Sequence, residues 1–198
     1  MERINKTLRR VPVWSIYLLG LLPVAWVIFT GLQAVDPVRG IEWGLGLWAV
    51  RMLIATLAIS PLRWAGLNLL RFRRQLGLVA FAYVLLHVTA WLTIDMGLRW
   101  SQILPDLVKR WYIIVGMTAL ALLTPLALTS NTAAIRAMGA KAWNRLHKLA
   151  YPATGLAVLH FLMVGKVYTT EVLTYAALLG LLLAVRIWRN GPASLIWA

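Results

Sequence analysis

Residues 81–92 read FAYVLLHVTAWL, and residues 155–164 read GLAVLHFLMV. Each is an apolar run holding one histidine, His87 in the first and His160 in the second. An ionisable side chain inside a membrane span is costly, so it marks a functional site with a partner. The chain has three histidines, no cysteine and six carboxylates, the last mostly outside the apolar runs. A histidine-ligated centre is therefore the metal site it builds most readily.

The composition points the same way. Hydrophobic residues make up 61% of the 198 and charged residues only 13%. An ordinary soluble domain is about 45–50% apolar, so the chain reads as an integral membrane protein. A net charge of +14 would suggest nucleic acid in a soluble protein. Here the basic residues cluster at the ends of apolar runs, as the positive-inside rule expects, and no nucleic-acid partner is needed. The absence of cysteine excludes disulfides and thiolate-held metals.

Apolar runs at about 13–31, 46–62, 76–94, 111–129, 149–165 and 171–188 are each long enough, or nearly so, to cross a hydrocarbon core of roughly 30 Å. The expected fold is an all-α bundle of six transmembrane helices, residues 1–198 forming one membrane domain. The first run follows Arg9 and Arg10 like a signal peptide. Its apolar stretch is long and no A-x-A site follows, so it reads as a retained helix, with Pro23 a candidate kink.

Lysine and arginine divide unevenly between the two sides. One side takes Arg3, Lys6, Arg9, Arg10, Arg63, Arg71, Arg73, Arg74, Arg136, Lys141, Arg145, Lys148, Arg186 and Arg189. The other takes Arg39, Arg99, Lys109, Arg110 and Lys166, and Arg51 falls within a span. This bias puts both termini in the cytoplasm. Trp14, Trp64, Trp100, Trp111, Trp143 and Trp188 fall near span ends, where indole rings anchor to headgroups. On the outer side, 33–45 contains the turn signal Asp36-Pro37. The segment 95–110 contains LRWSQILPDLVKR, a candidate interfacial helix. Either connection is a place for a partner to dock; a simple loop is the plainer reading.

His87 lies 11 residues beyond Leu76, and His160 lies 11 beyond Leu149. Both spans run outward, so both histidines rise about 16 Å from the cytoplasmic end. Two helices packed side by side would offer one imidazole each to a metal between them. The alternative is two unrelated histidines, each bonded to a neighbouring helix. Zinc needs further ligands, whereas haem needs only two axial ones, so the pair favours a six-coordinate haem that carries electrons.

His147, in KAWNRLHKLAY at 141–151, sits among Lys141, Arg145 and Lys148, about 20 Å before His160 along a helix. A second haem layer there would need a histidine near residue 74, where the chain reads Arg73-Arg74-Gln75. His147 is instead a candidate contact for a quinone, a flavin or a haem propionate, or simply a solvated interfacial histidine. Arg51 either snorkels to the outer headgroups or pairs with an anion such as a propionate. Arg71, Arg73 and Arg74 read as positive-inside anchors, and also as candidates for an anionic cofactor or lipid.

Four stretches carry a family resemblance: DPVRGIEWGLGLWAVRMLIATLAISPLRW at 36–64, RRQLGLVAFAYVLLH at 73–87, LALTSNTAAIRAMGAKAWNRLHKLAYP at 126–152 and LHFLMVGK at 159–166. In that order they resemble the MsrQ family, also called YedZ, within the ferric-reductase-like transmembrane superfamily. The resemblance implies a six-helix b-type cytochrome of the bacterial inner membrane. It implies one haem b on the positions that are His87 and His160 here, with His147 a third matching histidine. It also implies association with FMN, quinol or a cytosolic flavin reductase as electron donor, and a periplasmic molybdopterin partner, MsrP, that reduces methionine sulfoxide in oxidised envelope proteins. The sulfoxide chemistry would lie on that partner.

Two rival functions need weighing. A self-contained ferric reductase would carry a cytosolic nucleotide domain, and no GxGxxG-type phosphate loop is visible here. An electron carrier for another acceptor stays open. A non-redox scaffold or transporter would be colourless. A transporter would also tend to show a repeat or paired broken helices, and no convincing repeat is visible, although Pro23, Pro125 and Pro152 are candidate interruptions.

Overall fold

Asp36-Pro37 turns out to start a helix rather than to mark a turn in a long loop. In the computed structural model, which describes residues 1–165 and 169–191, Asp36 Oδ1 accepts the Arg39 amide at 3.1 Å and Pro37 occupies the first helical turn. An acidic cap followed by proline satisfies the orphan amides and presets φ for a helix. The second long helix, Pro37–Trp64, therefore begins well before the expected residue 46.

Two compact units divide the chain, Met1–Trp111 and the part from Tyr112 onward. The first contains α1 (Glu2–Arg10), α2 (Ser15–Leu32), α3 (Pro37–Trp64), α4 (Arg73–Ala90) and α5 (Trp100–Lys109). Its core is Val27, Leu45, Ala49, Val79, Tyr83 and Ala90, drawn from α2, α3 and α4. Glycines bring these helices close: a Cβ on Gly44 would meet Val27 at 2.7 Å, and one on Gly20 would meet Val79 at 2.9 Å. Small residues serve helix contacts in lipid, where packing rather than the hydrophobic effect drives association. Tyr83, 1% exposed, closes the contact by donating to the Gly20 carbonyl at 2.6 Å. Pro23 stays within one continuous α2.

α1 is fixed to the 65–72 loop at two points. Asn5 donates from Nδ2 to the Gly66 carbonyl at 2.8 Å and accepts the Asn68 amide at 2.9 Å. Arg71 caps the far end, donating to the carbonyls of Leu8 and Arg9, among the last carbonyls of a helix that lack an i+4 amide. A π-helical turn, Trp91–Asp95, follows α4. The expected short helix on the 95–110 connection is present as α5, anchored by fully buried Ile103.

The second unit holds α6 (Trp111–Leu128), α7 (Thr132–His147), α8 (Ala150–Val164) and α9 (Thr170–Asn190). α7 was not expected from the apolar pattern, because its residues are polar. Asn131 caps it by accepting the Ala134 amide at 2.8 Å, and Gly139, with φ of 74°, kinks it into two stretches.

Among the described residues, α2, α3, the 70–95 segment, α6 and α9 are long and apolar enough to cross a membrane. α8 has 15 described residues, about 22 Å of rise. Lys166, counted above toward the outer side, lies outside the described residues. Large apolar side chains stand outward on α2, with Leu22 65% and Trp26 62% exposed. So much exposed apolar surface suits lipid rather than water. The chain is a multi-pass membrane protein.

Candidate functional site

Each unit presents one half-buried histidine on an apolar helix in the same local setting. In the first unit, His87 projects from the C-terminal part of α4, and its Nδ1 lies 2.9 Å from the Glu42 carbonyl on α3. In the second, His160 projects from α8, and its Nδ1 lies 2.6 Å from the Tyr112 carbonyl on α6. A carbonyl can only accept, so both rings carry their proton on Nδ1. That tautomer puts the lone pair on Nε2, the form in which a neutral imidazole ligates a metal. Carbonyl acceptance also fixes the ring plane and raises the basicity of Nε2.

A glycine stands one helical turn after each accepting carbonyl. A Cβ on Gly46 would come within 3.0 Å of His87 Nδ1, and one on Gly116 within 2.8 Å of His160 Nδ1. The Tyr112 ring adds a tilted contact to His160, 6.2 Å between centroids.

His147 is arranged differently. It ends α7 and lies flat against Trp143, ring centroids 3.7 Å apart at 23°. The Thr129 hydroxyl has one proton and lies 2.6 Å from the Pro125 carbonyl, which can only accept. Its oxygen therefore accepts from His147 Nε2–H at 3.1 Å. Trp143 Nε1 donates to the Thr129 carbonyl at 2.8 Å and closes the cluster. His147 thus has the opposite tautomer from His87 and His160, with its Nε2 turned to Thr129. Next to it, Lys148 Nζ is buried with no hydrogen-bond partner among the described residues.

The arginines singled out from the sequence occupy separate places. Arg51 lies over the Trp48 ring, 4.8 Å from its centroid, and Trp48 stacks on Tyr83 at 6.4 Å. Arg73 and Arg74 open α4, Arg74 exposed and Arg73 half-buried. They stand 14 and 13 residues before His87, about 20 Å along the helix. Among the described residues no three of His, Asp and Glu come together as a metal-binding group. What the sequence did not reveal are the partners: Glu42, Gly46, Tyr112, Gly116, Thr129 and Trp143. Each acts through a contact between helices, for which no local motif exists.

Comparison with known proteins shows the family. Residues 43–158 match the family described as ferric reductase like transmembrane component. The protein-methionine-sulfoxide reductase heme-binding subunit MsrQ of Brucella ovis is 46% identical over 181 residues, covering 89% of this chain and 82% of the relative. The proteins of that name from Brucella canis and Brucella suis match to the same extent. The chain belongs to the MsrQ family. The ferric-reductase-like match includes His87 and His147 and ends two residues before His160. The MsrQ relatives bear heme-binding in their name.

Proposed function

We propose that this chain is the haem-binding membrane subunit of a methionine sulfoxide reductase system, with His87 and His160 as the axial ligands of one b-type haem. The observation that carries the reading is the matched setting of the two histidines. Each donates Nδ1–H to a helical carbonyl, at 2.9 and 2.6 Å, and so holds Nε2 in the ligating form. Ligation of one haem by both makes residues 1–198 one six-span membrane domain, and the lysine and arginine bias supports both termini in the cytoplasm.

Haem held in this way supplies a one-electron couple. The chain's own contribution is to orient two imidazoles, exclude water with apolar helices and set ligand basicity through two carbonyls. Within the first unit, Arg51, held over Trp48, is the candidate for a haem propionate, and Arg73 and Arg74 at the start of α4 are candidates for an anionic cofactor or lipid on the cytoplasmic side. Within the second, His147 and Lys148, whose Nζ is buried without a hydrogen-bond partner among the described residues, support an anion such as the phosphate of FMN. The donor is quinol or a cytosolic flavin reductase. The acceptor is a periplasmic molybdopterin enzyme of the MsrP type that repairs oxidised envelope proteins, which sets the chain in the bacterial inner membrane.

The test uses purified protein in detergent, reduced with a slight deficit of dithionite under argon. Adding a catalytic trace of the partner reductase and an excess of methionine-sulfoxide peptide should reoxidise it. Omitting the peptide should leave all but the trace taken up by the reductase itself reduced. Reoxidation that ignores the peptide, or none at all, contradicts the assignment.

A further inference from the structure

Resting on the haem reading above, we propose that Gly46 and Gly116 are positioning residues that set the orientation and basicity of the two axial histidines. In an α-helix the carbonyl of residue i already accepts the amide of residue i+4. Here residue i is Glu42 or Tyr112, and residue i+4 is Gly46 or Gly116. The histidine Nδ1–H is therefore a second donor to an occupied carbonyl, and it must approach from the side. On that side stands the Cβ position of residue i+4. The three atoms nearest to it are imidazole atoms in both cases: Nδ1, Cε1 and Cγ of His87 at 3.0, 3.1 and 3.6 Å, and of His160 at 2.8, 3.0 and 3.2 Å.

Any side chain other than hydrogen takes the space the ring uses to reach its acceptor. The same device occurs once in each unit, on different helices, and an arrangement found twice is hard to assign to chance packing. Other glycines here have different work. Gly44 and Gly20 face valines across a helix contact, and Gly155, on the same helix as His160, meets nothing within 4 Å.

A methyl group at 46 or 116 makes the imidazole back away. The Nδ1–H bond lengthens and the ring turns. A weaker acceptor on Nδ1 lowers the basicity of Nε2, which disfavours the ferric form. The potential therefore rises, and the effect is greater at 116, where the approach is closer.

The experiment compares wild type, Gly46→Ala, Gly116→Ala and Gly155→Ala in detergent. Haem content is read by pyridine haemochrome, axial geometry by low-temperature EPR g values, and the midpoint by redox titration. Gly155→Ala should superimpose on wild type in all three. Gly46→Ala and Gly116→Ala should bind haem with displaced g values. Their reduced-to-oxidised ratio at fixed poise should rise by up to about tenfold, about 59 mV for one electron. If Gly116→Ala does not accumulate, the milder Gly46→Ala decides the question alone. Haem-loaded Gly46→Ala with wild-type g values and potential overturns the proposal and leaves the haem reading standing. A wild type without haem overturns both.

Discussion

Removing the hydroxyl of Tyr83 tests how the first unit is held together. Tyr83 is 1% exposed and donates to the Gly20 carbonyl at 2.6 Å. No water replaces that bond in Tyr83→Phe. The donor is lost, and the acceptor left behind is a backbone carbonyl already serving its own helix, so the cost is that of one net hydrogen bond, about 1 kcal/mol. For a chain of this size that is a fall of about 2–4 °C in Tm. Tyr83→Ala also removes the ring, at about 3–5 kcal/mol. Tyr83 also lines a groove of about 250 Å³ with Tyr17, Gly20, Leu21, Leu78 and Leu86, with which the new void merges. The loss also removes the stack beneath Trp48. The assay is thermal unfolding in detergent followed by tryptophan fluorescence, and the Ala variant should fall roughly three to five times as far as the Phe variant. Equal shifts, or no shift in Tyr83→Phe, would refute the packing argument.

Further outcomes follow from the same contacts. His87→Ala or His160→Ala abolishes haem binding while His147→Ala largely spares it, read by pyridine haemochrome; a normal low-spin spectrum in either of the first two would end the ligand assignment. Thr129→Val removes the acceptor of His147 Nε2–H; it should leave haem content unchanged and alter the fluorescence of Trp143, and haem loss would make the cluster part of the haem site. Asn5→Ala deletes both bonds that tie α1 to the 66–68 segment. It should release α1 by about 1 kcal/mol, seen as faster hydrogen exchange of amides 2–10, and unchanged exchange would assign the docking to Arg71 instead.

Much of this was legible in the chain. The apolar runs named the long helices, because lipid demands about 20 apolar residues of any span, and the embedded histidines stood out because charge is expensive there. The start of α3 was misplaced because Asp36-Pro37 was weighed as a turn, although a capping acid before proline also opens helices. α7 was missed because a polar helix has no apolar stripe, and its signals were a cap at Asn131 and a break at Gly139. The setting of the histidines was beyond reach. His87 and Glu42 are 45 residues apart, and His160 and Tyr112 are 48 apart. Which glycine makes room for which ring depends on how the helices pack.

The most direct measurement is the reduced-minus-oxidised visible spectrum of the purified protein, with a pyridine haemochrome count. The account predicts a low-spin b-type spectrum with a single haem per chain. A colourless protein, after expression with ample haem supply, would contradict it.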